Sequence, residues 1–188
     1  FALGRGYWAV VLIGVALTMA RFSEAFLVLR GQSVGLSPIW APLALVAMKL
    51  AYSLTAYPLG ALSDRWGRTP LLIGGAVVLL AANAVLAWQA NFLGLALGVV
   101  LWGLHMAMTQ GLLAASVADA APAAWRGTAF GIFYLLTGLA LLLSSVLAGW
   151  LWDRLGPSAT FWAGAVFAAL ACVGLVLGQW RKRTTMKV

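Results

Sequence analysis

Charged residues are scarce in this chain. Aspartate, glutamate, lysine and arginine make up only 9% of its 188 residues, and only four residues are acidic, whereas soluble domains average about 25% charged residues. Hydrophobic residues account for 64% of the sequence. A water-soluble fold of this size cannot cover so much apolar surface, so the composition excludes a soluble globular domain and predicts an integral membrane protein.

Cysteine and histidine each occur once. Cys172 can form no internal disulfide, and His105 has no second histidine or cysteine near it in the sequence with which to bind a metal. The sequence also has no H-E-x-x-H motif, no nucleophile elbow and no pair of aspartates within one apolar stretch. We therefore expect no metal site, no cofactor and no enzymatic activity.

Long apolar segments fill most of the chain and are separated by short polar turns. A helix needs about 20 apolar residues to cross about 30 Å of hydrocarbon. Segments such as 71–80 are apolar on every face, which disfavours a β-barrel, because barrel strands alternate apolar and polar residues. The sequence predicts an all-α integral membrane bundle with six transmembrane helices, over 7–29, 38–62, 70–90, 93–118, 127–151 and 159–179.

The basic residues follow membrane topology. If both ends of the chain are cytoplasmic, eight of the 12 basic residues lie inside, and only Arg30 and Arg154 lie outside. This positive-inside bias predicts that orientation in the inner (plasma) membrane, with 180–188 as a basic cytoplasmic tail. It also explains the net charge of +8 without a nucleic-acid partner, so the expected partner is the lipid bilayer.

The pattern G-x-L-x-D-R-x-G occurs twice, at 60–67 and at 149–156, and the two copies are 89 positions apart. Three predicted helices separate the copies, so they lie on opposite sides of the membrane. The arrangement predicts two three-helix repeats of inverted topology. We expect the last glycine of each copy to adopt a positive φ in a turn, and the aspartate to cap the helix that follows.

Few ionisable side chains lie inside the predicted helices. They are candidates for function because an ionised group at membrane depth costs about 2.5–3.5 kcal/mol. Arg21 and Glu24 share a face of the first helix, and Lys49 lies near the middle of the second. In one hypothesis they line a transport cavity, where Glu24 binds a proton and Arg21 or Lys49 contacts substrate. In the alternative, Arg21 and Glu24 form a pair within the helix that only orients it.

The fourth predicted helix, which opens the second repeat, carries His105 and Gln110. Gln110 stands at the position equivalent to Arg21, because the same offset that relates the two motif copies relates these residues. We expect Gln110 to line the same cavity. His105 has a pKa range that suits a proton relay, and the alternative is a structural histidine hydrogen-bonded between helices.

Residues 60–68 resemble the loop signature of the major facilitator superfamily, G-x-L-a-D-r-x-G-r-[KR]. The match fails only at the last position of the signature, where this sequence has Thr69. Residues 119–131 resemble the family's cytoplasmic connection between the fourth and fifth helices of a half, and 149–157 resemble its penultimate loop. The fourth helix has Ala107 where the N-terminal half of family antiporters carries an arginine, and the fifth has no proline. The resemblance therefore favours the C-terminal half.

The resemblance implies a secondary transporter that moves a small solute by alternating access, with protons as the coupling ion and this chain as one of two six-helix halves. The N-terminal half would come from the same polypeptide or, less favoured, from a second copy. Because the sequence starts at Phe1 and not at Met, we expect that its native start is missing. The alternative function is a non-transporting membrane scaffold or sensor that reuses the fold.

The resemblance also implies that residues at the helix connections control gating. Asp64, Arg68, Asp119 and Arg126 are expected to form a salt-bridge cluster at the inner face, and the alternative is that they serve as helix caps and lipid anchors. The gating candidates are Gly60, Asp64, Arg65, Gly67, Arg68, Asp119, Arg126, Gly149, Asp153 and Arg154.

Overall fold

The computed structural model describes residues 3–185, with side chains as far as residue 178. Of the predicted basic tail, residues 186–188 and the side chains of 180–185 lie outside the described residues. The elements are α1 (Arg5–Arg21), α2 (Ala25–Ser33), α3 (Leu43–Trp66), α4 (Arg68–Trp88), α5 (Phe92–Ala120), a short 3₁₀ turn (Ala123–Trp125), α6 (Arg126–Leu155) and α7 (Pro157–Thr185).

Six stretches of the described chain are long and apolar enough to cross a membrane, and α1 and α2 together form the first of them. This finding confirms the predicted all-α fold with six membrane helices. α3 begins and ends later than the predicted 38–62. The later start is due to a series of hydrogen-bonded turns before the helix, in which the carbonyl of Ser37 accepts from the N–H groups of Trp40 at 2.9 Å and Ala41 at 3.0 Å.

The first membrane segment is broken at residues 22–24, and the prediction of one continuous helix there is wrong. The break contains neither glycine nor proline. Phe22 adopts a φ of 31°, and its ring packs against Trp102 with the ring centroids 5.4 Å apart. The Ser23 hydroxyl oxygen accepts from the Ala25 backbone N–H at 3.3 Å, which satisfies one donor at the start of α2.

The two repeats interlock. α3 and α4 pack against α5, the first helix of the second repeat, while α6 and α7 pack against α1, the first helix of the first repeat. α4 and α7, the third helices of the two repeats, pack against each other. The main packing contacts of the first repeat thus have counterparts in the second, as an inverted repeat requires.

The two motif copies end in the same backbone geometry. Gly67 has φ 83° and ψ 162°, and Gly156 has φ 86° and ψ 175°. The N–H group of Gly67 donates to the backbone carbonyl of Ser63 at 2.9 Å, and that of Gly156 donates to the backbone carbonyl of Trp152 at 3.0 Å. The predicted positive φ is confirmed. The predicted cap is wrong for Asp64, which lies inside the last turns of α3, because Gly67 precedes α4 and no side chain caps that helix.

α3 and α6 lie at the periphery of the bundle. In α3 only Ala44, Met48 and Ser63 are buried, whereas α4 and α5 are buried along much of their length. α3 nevertheless approaches α5 closely, because Gly103 of α5 lies directly against the backbone of Met48. Much of the surface of α3 and α6 is therefore apolar and uncovered by the six helices.

Candidate functional site

A cavity of about 380 Å³ lies between α1, α5 and α6. The first helices of both repeats therefore contribute to one site. Its polar lining residues are Thr18, Arg21, His105, Thr109, Gln110, Tyr134 and Thr137. Its other lining residues are Leu17, Leu113, Ala114, Phe133, Gly138 and Leu141.

Arg21 and Gln110 both line this cavity. Arg21 is the last residue of α1, directly before the helix break. Among the side chains described up to residue 178, neither Arg21 nor Gln110 has a hydrogen-bond or ion-pair partner in the protein. Both therefore retain hydrogen-bond donors that are available to a molecule in the cavity.

The three cavity threonines use their hydroxyl hydrogens within their own helices. Thr18 donates to the carbonyl of Gly14 at 2.8 Å, Thr109 donates to that of His105 at 2.9 Å, and Thr137 donates to that of the residue four positions earlier at 2.8 Å. A hydroxyl has a single hydrogen, so in this arrangement these side chains have acceptor lone pairs left but no free donor.

His105 lines the cavity but is almost completely buried, with 1% of its surface exposed. Its Nδ1 lies 2.8 Å from the carbonyl oxygen of Gly75 on α4. A carbonyl only accepts, so Nδ1 carries the hydrogen and Nε2 of the neutral ring is the acceptor. The histidine thus joins α4 to α5, as the structural alternative for this residue requires.

Glu24 pairs with Lys49 and not with Arg21. Lys49 Nζ lies 3.0 Å from each carboxylate oxygen of Glu24, so the direct Arg21–Glu24 pair, which was the alternative to a cavity role, does not form in this structure. The pair joins the helix break to α3 and lies outside the cavity lining. Of the five candidate cavity residues, the structure brings Arg21, His105 and Gln110 together and places Glu24 and Lys49 beside them as a separate pair.

The face of the bundle expected to be cytoplasmic contains one ion pair within the described part of the chain. Arg68 Nη1 lies 2.6 Å from a carboxylate oxygen of Asp119 and joins the start of α4 to the end of α5. Asp64, in the last turns of α3, and Arg126, at the start of α6, are exposed and take no part in it. The expected four-residue cluster is therefore reduced to one pair in this structure.

The remaining gating candidates lie at helix ends. Gly60 and Arg65 belong to the last turns of α3, and Gly149, Asp153 and Arg154 belong to those of α6. Both motif copies thus lie largely within helices and not in loops. Asp153 and Arg154 are exposed, and neither has an ion-pair partner among the described side chains.

Arg30 was expected in an outer loop, but it is buried in the last turn of α2, with 3% of its surface exposed. Its guanidinium donates to Ser33 Oγ and to the Gln89 carbonyl, each at 3.4 Å, and its central carbon lies 6.0 Å from the ring centroid of Phe161. Nothing in the local sequence distinguishes it from a lipid-anchoring arginine, because Gln89 and Phe161 are distant in the chain.

Sequence reasoning also missed the contribution of α6 to the cavity. Tyr134 and Thr137 lie three positions apart and therefore on one face of that helix. They interrupt an otherwise apolar run, and this i, i+3 polar pair is the signal that would have found them.

The fold and the cavity define a multi-pass helical membrane bundle whose site lies where two inverted repeats meet. The family model described as Major Facilitator Superfamily matches residues 7–187. The chain belongs to the major facilitator superfamily.

Two curated relatives of the chain have names that describe them as transporters. An uncharacterised MFS-type transporter of Methanocaldococcus jannaschii is 33% identical over 173 residues, which cover 89% of this chain and 43% of that protein. The inner membrane transport protein YajR of Escherichia coli is 28% identical over 173 residues, which cover 90% of this chain and 35% of that protein. The chain thus spans less than half the length of these relatives.

The fold also matches a solved structure. An auto-inhibited peptide transporter of the POT family superposes with a TM-score of 0.74 over 95% of this chain and 38% of that one, at 20% sequence identity. At this identity the match supports the fold alone.

Proposed function

We propose that this chain is the C-terminal six-helix half of a secondary transporter, and that its cavity is one wall of the path along which a small solute moves. The observation that carries the proposal is the meeting of Arg21 and Gln110, equivalent residues of the two repeats, in a single cavity. Secondary transporters place their sites where repeats meet, and they often use a discontinuous helix there. The break after Arg21 supplies that feature.

A second six-helix bundle completes the path. The peripheral helices α3 and α6 carry apolar side chains that the six helices leave uncovered, such as Leu54 at 69% exposure and Leu143 at 64%. In this proposal the second bundle covers part of these faces and lipid covers the rest. The bundle belongs to the same polypeptide or, less favoured, to a second copy. The partial coverage of the curated relatives supports two bundles.

Protons are the proposed coupling ion, and Glu24 is the proposed proton-binding group. Its carboxylate is paired with Lys49 across the helix break. Protonation removes the negative charge and leaves Lys49 without its partner. Because the pair is partly exposed, this removes one modest contact between the break and α3. Proton binding is thereby connected to the position of a helix beside the cavity, as alternating access requires.

The inner-face charges form the proposed gate. Arg68 and Asp119 belong to the same bundle, so their pair stabilises the bundle and cannot by itself hold two halves together. Asp64 and Arg126, which take no part in that pair, are the groups proposed to contact the opposite half. The proposed orientation places this face and both ends of the chain in the cytoplasm, with the protein in the inner membrane.

Proton movement in proteoliposomes tests the function. The complete protein that contains this chain is reconstituted with a pH dye inside the vesicles, and organic acids, amines and sugars are added in turn. We expect at least one solute to drive proton movement, and Glu24→Gln to abolish the proton signal while solute exchange continues. Arg5→Gln, which removes an exposed charge at the end of α1 opposite the break, is the control.

Two results would contradict this proposal. Full coupling in Glu24→Gln would remove the carboxylate from the mechanism. The absence of any solute-dependent change in the wild-type protein would favour a scaffold or sensor over a transporter.

A further inference from the structure

The cavity contains a positive charge, on Arg21, that no acidic side chain contacts directly in the described part of the chain. Arg21 lines the cavity and makes no ion pair with any side chain described up to residue 178. We propose that the cavity binds a small organic anion, a monocarboxylate with an apolar body, through the Arg21 guanidinium. This inference rests on the proposed function, because it names the class of solute that the cavity accepts.

Each of the four acidic residues in the sequence is located elsewhere. Glu24 is paired with Lys49 at 3.0 Å, and Asp119 is paired with Arg68 at 2.6 Å. Asp64 and Asp153 are exposed in the last turns of α3 and α6. None of the four lines the cavity. Glu24 acts on Arg21 only through space and pairs directly with Lys49. A carboxylate that contacts the Arg21 guanidinium inside the cavity must therefore come from outside this bundle.

The position of Arg21 explains how the bundle tolerates its charge. As the last residue of α1 it lies at the negative end of the helix dipole, next to backbone carbonyls that the break leaves without helical donors. A helix end supplies only about half an elementary charge of the opposite sign. The site therefore retains a net attraction for an anion.

The donors near Arg21 favour a carboxylate. Gln110 contributes an amide and Tyr134 a hydroxyl, and neither has a hydrogen-bond partner among the described side chains. The threonine hydrogens are already bonded to helix carbonyls. A guanidinium with neighbouring neutral donors is suited to the two oxygens of a carboxylate.

The rest of the lining determines the body of the ligand. Leu17, Leu113, Phe133 and Leu141 surround the polar groups with apolar surface. A volume of about 380 Å³ lies within the range of small-molecule sites. A strongly hydrated inorganic anion would leave this apolar surface uncovered, whereas an apolar or aromatic acid would cover it.

Ligand charge is the variable that the test changes. The complete protein is purified in a neutral detergent, and its thermal unfolding is followed with benzoate, 3-phenylpropionate and indole-3-acetate. Two kinds of probe have a similar shape but a different charge: the amide of each acid, which is neutral, and benzylamine, which is a cation. A ligand that binds the folded state raises the melting temperature. We expect at least one acid to do so, and neither its amide nor benzylamine.

Arg21→Gln should weaken binding of that acid by about tenfold or more, because a charge-assisted bond is lost. Arg21→Lys should bind the acid more weakly than the wild type but more tightly than Arg21→Gln, since it keeps the charge and loses the planar pair of donors. Arg5→Gln, at the exposed start of the same helix, should bind as the wild type does. If Arg21→Gln does not fold, Arg21→Lys and the charge preference of the wild-type protein still decide the question.

The proposal is overturned if no acid protects, if an amide or benzylamine protects as well as its acid, or if Arg21→Gln binds the acid normally. These outcomes are distinct from failure of the transport proposal, because binding in detergent requires no proton gradient. Proton-coupled movement of amines or sugars without acid binding would leave the transporter intact and exclude only the anion. Acid binding without any transport would support the anion site and contradict the transport proposal.

Discussion

Arg21 and Gln110 occupy equivalent positions in two repeats of opposite orientation, and both side chains line the same cavity. The repeat relation was visible in the sequence, and it led us to expect a shared cavity. It arises because α1 and α5, the first helices of the repeats, both border the central space, with α6 along one side. One member of the pair is charged and the other is neutral, so the two walls of the cavity differ in chemistry.

The two motif-ending glycines should respond alike to substitution. Gly67 and Gly156 both lie in a region of φ and ψ that is essentially restricted to glycine, so Gly67→Ala and Gly156→Ala should each lower the stability by about 1–3 kcal/mol. Gly60→Ala and Gly149→Ala, at helical positions with no close neighbour, are the controls and should be neutral or stabilising. Thermal unfolding in detergent measures all four. A large loss at Gly67 with none at Gly156 would contradict the repeat geometry.

The close approach of α3 to α5 should depend on Gly103. A methyl group at this position would collide with the backbone of Met48 and meet Ala51. Gly103→Ala should therefore destabilise the bundle by about 1–3 kcal/mol, through overpacking. Gly111→Ala, on the same helix but in open space, should have no adverse effect. Equal stability of the two variants in a thermal or denaturant titration would mean that the helices are not in this contact.

His105 should behave as a link between helices. His105→Leu removes the bond to the Gly75 carbonyl and should cost about 1–3 kcal/mol of stability, because a buried polar partner is lost. Gln110→Leu, with no protein partner among the described residues, should cost much less. Thermal unfolding of both variants tests this comparison. If His105→Leu were fully stable but had lost proton coupling, the residue would be a relay and not a link.

The Arg68–Asp119 pair should contribute little to stability despite its short distance. Both side chains are partly exposed, at 37% and 67%, and exposed pairs contribute about 0.2–1 kcal/mol. A double-mutant cycle with Arg68→Gln and Asp119→Asn measures the coupling, which should decrease in high salt. A coupling of several kcal/mol that salt does not reduce would contradict an exposed pair and indicate that the opposite half buries it.

The sequence predicted the features that depend on local patterns. Helix number followed from apolar runs of membrane length, and the turns at Gly67 and Gly156 followed from a repeated motif whose last residue had to be glycine. The helix break did not follow, because residues 22–24 contain no helix-breaking residue. It depends on where Trp102, far along the chain, receives the Phe22 ring.

The ionic partners of the site were also predicted less well, because they too depend on residues far apart in the chain. Arg21 and Glu24 are neighbours on a continuous helix, so a local pair was a reasonable expectation. The break interrupts the helix between them, and Lys49 from another helix pairs with the Glu24 carboxylate instead. Spacing along one helix could not show this competition, which leaves Arg21 available in the cavity.

Alternating access, the mechanism proposed for this protein, requires that the cavity opens to each side of the membrane in turn. A cysteine at Gly138, an exposed position in the cavity lining with no close neighbour, reports it in a Cys172→Ala background of the complete protein. A membrane-impermeant maleimide should modify Gly138→Cys from either side, and a proton gradient should raise labelling from one side as it lowers labelling from the other. Ser158→Cys, at the start of α7, should be modified from one side only. Labelling of Gly138→Cys from a single side under every gradient would contradict alternating access.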